Sequence, residues 1–451
     1  MTQASAPPRE SAGAQPGGLP AASLGESLRF VALGLLPTLA RGLFSARERM
    51  VSLMAKLETD ARAIRAISEI RAAHPGQGAR LLGGRIVLLW GTDAIREVLD
   101  RSADVYASDS GAKGKGMCHF QPDALTMSRG AEWRDRRAFN ESVLATSDSL
   151  HPDADRFVAV VADEVSRVYM ADGLTWSDWE ELFDRITLRV VFGDRAREES
   201  EITALLDKLM SEANRLGGLG ESDDYFEFLG RMERQLQDPE EGSLVARFAD
   251  APQTDRTRVV HQLPHWIFAM RNTLGANAWR ALATIVAGKD IEDRALEEIQ
   301  GADLSRSAEI DGLKYLEGCL SEAMRLWPTT PILARETTRE TTLAGQKLDE
   351  GTQVMIFNTF NHRDGEQVED PDMFEPERWS SGERDYRFNH LSNGRQDCPG
   401  GPLVYLLGKA VLANVIGRYD LTLREPSLDP SAPLPLTLDP FETSFATQPR
   451  S

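Results

Sequence analysis

The chain is poor in cysteine, with three in 451 residues. An odd and sparse set cannot build a disulfide framework, and it fits a reducing compartment where thiols serve chemistry or packing. Basic residues are also in short supply: 51 Lys and Arg stand against 70 Asp and Glu, a formal net charge of −19. That balance excludes nucleic acid as a partner, because neutralising phosphates requires a surplus of cations. A long uninterrupted apolar run is missing as well. The best one, Leu28 to Phe44, is interrupted by Arg29, Pro37 and Arg41, and its roughly 17 residues fall short of the about 20 that a bilayer crossing needs. It reads as a helix-turn-helix packed on the body of the protein, with shallow contact at a membrane surface as the alternative. No basic stretch precedes it, so a cleaved signal peptide is not expected. Finally, no Gly-rich nucleotide loop after a strand, no P-loop and no flavin signature is present, so the chain carries no reductase of its own.

What the sequence does contain is helical pattern. Met1 to about Gly25 is rich in Ala, Gly, Pro and Ser without apolar periodicity, and it reads as a disordered leader, residues 1–25. Residues 26–451 are expected to form a single domain, with 26–57 as an N-terminal helical segment. Strand signals are confined to short stretches such as Arg85–Trp90 and Gln353–Asn358. Strands do not alternate regularly with helices, so the body reads as mainly α with a small β portion.

Two helices stand out. From Val259 to Val286, Val259, Leu263, Trp266, Ile267, Met270 and Leu274 mark one apolar face, while Ala269, Thr273 and Ala276 form a stripe of small residues on another. A helix of about 28 residues is about 42 Å long and must cross most of a domain. The second helix, Leu313 to Trp327, has Asp311 as its expected N-cap and Pro328 as its stop. Glu322 and Arg325 lie three apart on it, as an i,i+3 ion pair would.

Near the C-terminus, Phe388-Asn389-His390-Leu391-Ser392-Asn393-Gly394-Arg395-Gln396-Asp397-Cys398-Pro399-Gly400 places a cysteine among glycines just before an apolar helical pattern. Backbone N–H groups and the positive end of a helix both stabilise a thiolate. Such a thiolate can serve as an axial ligand to haem iron.

With these residues the chain resembles the cytochrome P450 family, of the soluble bacterial type. Gly394, Cys398 and Gly400 fit that family's haem-binding loop, Glu322-Ala323-Met324-Arg325 its Glu-x-x-Arg signature, and Phe374-Glu375-Pro376-Glu377-Arg378-Trp379 the segment that adds a second arginine. The resemblance implies a structural triad Glu322–Arg325–Arg378 and a haem b held between the long central helix and the cysteine-ligand loop, with Cys398 on the iron. It further implies that Trp133, Arg137 and Arg335 meet the haem propionates, and that Asn361-His362-Arg363-Asp364 is the family's short His-Arg-Asp stretch. Gln396 stands where the family often has a propionate-binding His or Arg, with Arg395 as a substitute contact. Leu391 stands where Phe is usual.

The long helix departs from the family pattern. Ala269-Met270-Arg271-Asn272-Thr273 keeps the alcohol, Thr273, but replaces its acidic partner by Asn272. An amide orients a water but does not titrate, so proton delivery should slow or follow another route. Arg271 either faces away and pairs with a carboxylate elsewhere, or binds an anionic substrate group as in peroxide-using members of the family.

The expected activity is therefore a monooxygenase inserting one oxygen atom from O2 into a small organic substrate, acting as a monomer served by a ferredoxin or flavodoxin-type donor. Arg134, Arg136, Arg395 and Lys409 would form a local basic patch for that donor. The alternatives are a peroxide-driven oxygenase with a carboxylate substrate anchored by Arg271, or a haem protein with degenerate oxygen activation. Cys319 is expected in the core, and Cys118 in the loop that covers the substrate.

Overall fold

A computed structural model describes residues 17–109, 111–168, 173–215, 222–382 and 384–450. The expected leader thus falls largely outside the described residues, but its last part is ordered, contrary to expectation. Leu19 is buried against the sheet, Ala21 bridges Arg80, and Ser23 forms a capping box with Glu26 at the start of helix Leu24–Phe30. A single buried leucine and three backbone bonds to strand and turn residues hold this stretch, although its composition gives no sign of it. The apolar run that follows is broken by design of its sequence. A π-turn, Val31–Leu35, precedes Leu36–Ala40, so that Pro37 sits in a first turn, where its missing N–H is not needed. Among the described residues no helix is long and apolar enough to cross a membrane.

The fold is mainly helical with a small sheet portion. Strands β1 (Gly78–Leu81), β2 (Ile86–Leu89), β3 (Tyr106–Ala107), β4 (Ile332–Thr337) and β5 (Gln353–Phe357) form one sheet in the order β1-β2-β5-β4-β3. The two strand signals of the sequence are β2 and β5, and they pair in parallel from Ile86 with Gln353 to Leu89 with Ile356. Each is buried on both faces, which is why both read as short unbroken apolar runs. A second sheet joins Leu174–Thr175, Ser444–Pro449 and Tyr419–Glu425.

The long helix runs from Val259 to Ala287 in four joined segments: a tight 3-10 turn, an α-helix Leu263–Phe268, a π-helical turn Ala269–Leu274 and an α-helix Gly275–Ala287. Two other helices pack on it. Lys314–Leu326 carries Glu322 and Arg325, and Gly401–Arg418 follows the cysteine loop. The latter is buried nearly all round, as its unbroken hydrophobicity requires. Its Gly408 permits close approach, since a Cβ there would stand 2.5 Å from Leu320 and 3.2 Å from Leu274. Asp311 is not the N-cap of the second helix, because it ends the preceding helix Ser307–Asp311. Glu298 takes over, its carboxylate accepting from the amides of Tyr315 (2.8 Å) and Leu316 (2.9 Å). That substitute comes from another helix, so no local sequence signal announces it.

Candidate functional site

The triad assembles as expected. Glu322 and Arg325 are fully buried and joined by two hydrogen bonds of 2.8 and 2.6 Å. Arg378 reaches Glu322 at 3.4 Å, and Trp379 Nε1 donates to its other oxygen at 2.9 Å. The remaining donors of Arg325 go to the carbonyls of His362, Pro371 and Met373. Two buried charges with every lone pair and proton placed meet the condition under which such a pair offsets its desolvation.

His362 connects this centre to the cysteine loop. Its Nδ1 faces the Arg325 carbonyl at 3.1 Å, which requires that nitrogen to donate, and its Nε2 then accepts from the Asn389 amide at 2.8 Å. Burial holds its pKa well below the ordinary value, so the ring is a neutral bridge with one fixed tautomer. The sequence shows His362 only as part of a short stretch, and this bridging role is added by the tertiary structure.

In the loop itself, Gly394 has φ of +68°, and a Cβ would stand 2.4 Å from the Leu99 backbone, so glycine is required there. Gly400 is different: a Cβ would make ordinary contacts of 3.8 Å to Leu144 and 4.0 Å to Cys398 Sγ. The Cys398 amide donates to the Leu391 carbonyl at 2.9 Å, which folds the loop back on itself. Burial pushes the Cys398 thiol pKa up and the neighbouring Asp397 adds to this, while the Gly400 N–H and the Arg137 charge pull it down. The Gly400 N–H thus acts in the expected direction, but desolvation outweighs it, and a metal cation is what would ionise this thiol.

Cys398 nevertheless retains accessible surface. The long helix shows the same property on one face: His265, Phe268, Ala269, Asn272, Thr273 and Ala276 are partly accessible, while Trp266, Ile267, Met270, Leu274 and Gly275 between them are buried. The spacing is that of a single helical face. Asn272 Oδ1 is buried there without a partner, and the π-turn Ala269–Leu274 spans this very stretch. Turns of that type inside α-helices are frequent at functional sites.

The cations divide sharply. Arg335, on β4, is buried and donates only to Ser102 Oγ (3.1 Å), its neighbour's carbonyl (3.0 Å) and Ser392 Oγ (3.5 Å). No carboxylate faces it among the described residues, and burial brings its pKa down to about 10. Lys113 lies near it: Nζ donates to Thr126 Oγ1 at 2.6 Å, and burial together with the Arg335 charge lowers its pKa to about 7 against the opposing pull of Asp109. A buried cation without a counter-anion is costly, and the carboxylates of a haem are the anions that Arg335 fits. Gln396 adds a weak contact to Ser108 at 3.3 Å and an orphan buried Oε1. A partly accessible thiol, an accessible helix face and a buried arginine that meets no carboxylate among the described residues together fit haem. Lys113 is the member that sequence reasoning missed, because nothing in the stretch before Gly114 distinguishes it from a surface lysine.

Other expected contacts are already engaged. Arg137 gives its donors to Glu141 (2.6 Å), the Asp397 carbonyl (2.6 Å) and the Asp397 carboxylate (2.7 Å), which anchors the cysteine loop. Trp133 is buried in a small cluster with Ala103 and Leu125. Arg395 lies over the Trp133 ring at 5.4 Å and pairs with Asp104, so it is not free to replace a propionate ligand.

Arg271 is corrected as a catalytic or substrate-binding candidate. It is buried against helices Trp176–Phe192 and Ser200–Ala213, where Asp184 and both oxygens of Asp207 occupy its guanidinium. Helical phase explains this, since Arg271 falls on the face opposite Asn272 and Thr273, toward those two acids. The expected basic patch is likewise mostly withdrawn. Lys409 is fully buried and bound to Glu317 at 2.7 Å, and Arg136 is buried against Asp123 at 2.9 Å, which leaves Arg134 as the exposed member without an ion pair. Cys319 is buried in the core as expected, and Cys118 donates to the Lys115 carbonyl at 3.0 Å.

Comparison with known proteins agrees with this geometry. Residues 253–442, which include the long helix, the triad and the cysteine loop, match the family model described as Cytochrome P450. Among similar proteins, beta-amyrin 24-hydroxylase of Glycine max is 24% identical over 292 residues, 52% of this chain and 57% of that protein. Tabersonine 6,7-epoxidase isoform 2 of Catharanthus roseus is 30% identical over 152 residues, 32% of this chain and 30% of that protein. Probable cytochrome P450 4d20 of Drosophila melanogaster is 27% identical over 166 residues, 35% of this chain and 32% of that protein. The chain thus spans from about a third to somewhat over half of the length of these relatives, which are plant and animal proteins and do not carry the narrower resemblance to a soluble bacterial type. Over the matched residues, and in its assembled triad and cysteine loop, the chain is similar to the cytochrome P450 family, whose prosthetic group is haem with an axial cysteine thiolate.

Proposed function

We propose that the protein is a haem-thiolate monooxygenase that inserts one oxygen atom from O2 into a small organic substrate, with electrons supplied by a separate redox protein. The observation that carries this reading is the pairing of a partly accessible Cys398 with an open long-helix face at Asn272 and Thr273, beside the unpaired buried cation Arg335. Haem, when bound, supplies the oxygen-binding iron.

The chain's own residues then have distinct tasks. Cys398 would give the iron its thiolate, with the Gly400 N–H and Arg137 favouring its ionised form. Arg335, Lys113 and Gln396 would hold propionates, and Trp133 and Arg137 fix the edge of the cysteine loop. Thr273 presents a hydroxyl that passes a proton, and Asn272 orients the water that supplies it without titrating itself. Glu322, Arg325 and Arg378 act structurally. The Arg271-anchored carboxylate substrate is not retained, because that guanidinium is neutralised by Asp184 and Asp207.

A cytoplasmic protein resting on a membrane surface is part of the same proposal. Leu24, Leu28, Leu36, Leu53 and Leu57 are exposed in the N-terminal helices, an arrangement suited to shallow insertion. The functional test is spectroscopic. The reduced carbon monoxide complex is expected to absorb far to the red of an imidazole-ligated haem, and Cys398→Ala is expected to abolish that band. A native complex with the imidazole-type position would sink the proposal.

A further inference from the structure

His265 lies on the accessible face of the long helix, about two turns and roughly 12 Å before Thr273 at ~1.5 Å per residue. Its Nδ1 is buried with no hydrogen-bond partner, although buried polar atoms in folded proteins are nearly always paired. The ring as a whole keeps partial accessibility, as Asn272 and Thr273 do on the same helix face. Its surroundings are aromatic: Phe268 shares the face at 6.2 Å between ring centroids, and Phe120 packs edge-on against Phe268 at 6.3 Å. The nearest charge is Lys113, whose ammonium is held by Thr126. Burial, assisted by that charge, lowers the His265 pKa to about 4, so the imidazole is neutral and offers one donor and one acceptor. In an aromatic wall, such a group matches a hydroxyl or a carbonyl and adds little for a hydrocarbon.

We infer that His265 is a specificity-determining residue that hydrogen-bonds a hydroxyl or carbonyl of an otherwise apolar substrate, whose carbon skeleton packs on Phe268. The inference rests on the proposed monooxygenase site, since it requires the accessible helix face to be the substrate side. It places the anchor two turns from Thr273, so the carbon presented near that alcohol is remote from the polar group. Oxidation would then fall away from the existing oxygen function.

The test uses the haem-loaded full chain and three probes of one skeleton: tetralin, 2-tetralol and 2-tetralone. Binding is read by isothermal calorimetry and by the Soret shift. One hydrogen bond to a buried neutral group corresponds to a preference of ~3-fold to ~10-fold, so the native protein should bind the alcohol and the ketone that much more tightly than tetralin. His265→Phe should bring all three within about twofold, and His265→Gln should restore most of the preference. Haem content and the carbonmonoxy band should be unchanged in both variants. An unaltered preference in His265→Phe would overturn the inference. So would equal binding of the three probes by the native chain, meaning that the imidazole holds a water only, or loss of haem from His265→Phe, meaning a cofactor-holding role. A native chain with this preference but without the red-shifted carbonmonoxy band would defeat the haem-thiolate reading and leave the role of His265 standing.

Discussion

Arg335 shows how much a single residue's surroundings decide. From the sequence it is one arginine among many, and its resemblance to a propionate contact is the only reason to select it. The structure separates it from the others by what it lacks: it is buried and meets three hydroxyl or carbonyl oxygens but no carboxylate. Removing an uncompensated buried cation does not destabilise a chain, whereas removing one half of a buried pair does. Arg335→Met is therefore expected to leave the unfolding midpoint of the haem-free chain unchanged or raised while weakening haem retention at least about tenfold, measured by transfer of haem to an acceptor globin. Asn272 calls for the opposite kind of change. Its Oδ1 has no partner, and a titrating group in its place would restore the acid that accompanies the alcohol elsewhere in the family. Asn272→Asp is expected to raise the ratio of product formed to oxygen consumed, and an unchanged or lower ratio would show that protons already reach Thr273 by another path.

At the scale of elements, the molecule is organised by where helices and loops are tied to each other. The Glu322 carboxylate receives Arg325, Arg378, Trp379 and the Glu375 amide, so one side chain joins a helix to the segment that follows the sheet. Glu322→Gln keeps the shape and removes the charge, leaving Arg325 buried and uncompensated. The expected loss is about 3 to 5 kcal/mol of stability, readable as a lowered urea midpoint with an unchanged slope. The long helix illustrates the second device. Its π-turn occupies the six-residue stretch before Gly275, and the Gly275 carbonyl accepts from Trp179 Nε1 at 2.8 Å, so a neighbouring helix stabilises the distortion. The phase of this turn puts Asn272 and Thr273 on the partly accessible face and turns Arg271 toward two acids. Periodicity in the sequence identifies the helix but cannot assign those directions, because the partners that choose between them lie on helices nearly 90 residues away in the chain.

For the molecule as a whole, burial of neutral histidines governs the response to acid. His265 and His390 both fall to about 4 through burial, and His362 lies well below its ordinary value. A histidine whose folded pKa is depressed binds a proton more readily when unfolded, so its stabilising effect is present above pH ~6.5 and is lost as the pH falls through the window down to the folded value. At about 1.4 kcal/mol per pH unit for each such group, stability is expected to decline steeply from pH ~6.5 to ~4. Thermal unfolding followed across that range checks it. His390→Gln should flatten the slope by about one proton.

What the sequence determined by itself is the set of local and short-range features. The apolar runs of β2 and β5, the length of the central helix, the Glu-x-x-Arg spacing and the Gly394-to-Cys398 loop are all fixed within a few residues of chain, and each lies where those spacings put it. Tertiary structure decided everything that depends on a partner far away. It ordered the chain from Gly17 by pairing it with Arg80, took Lys409 and Arg136 off the surface, turned Arg271 to Asp184 and Asp207, and, among the described residues, left Arg335 without a carboxylate and His265 Nδ1 without a hydrogen-bond partner. The physical reason is that a side chain's chemistry follows from its dielectric surroundings and its neighbours, and those are set by packing between distant elements rather than by adjacency in the chain.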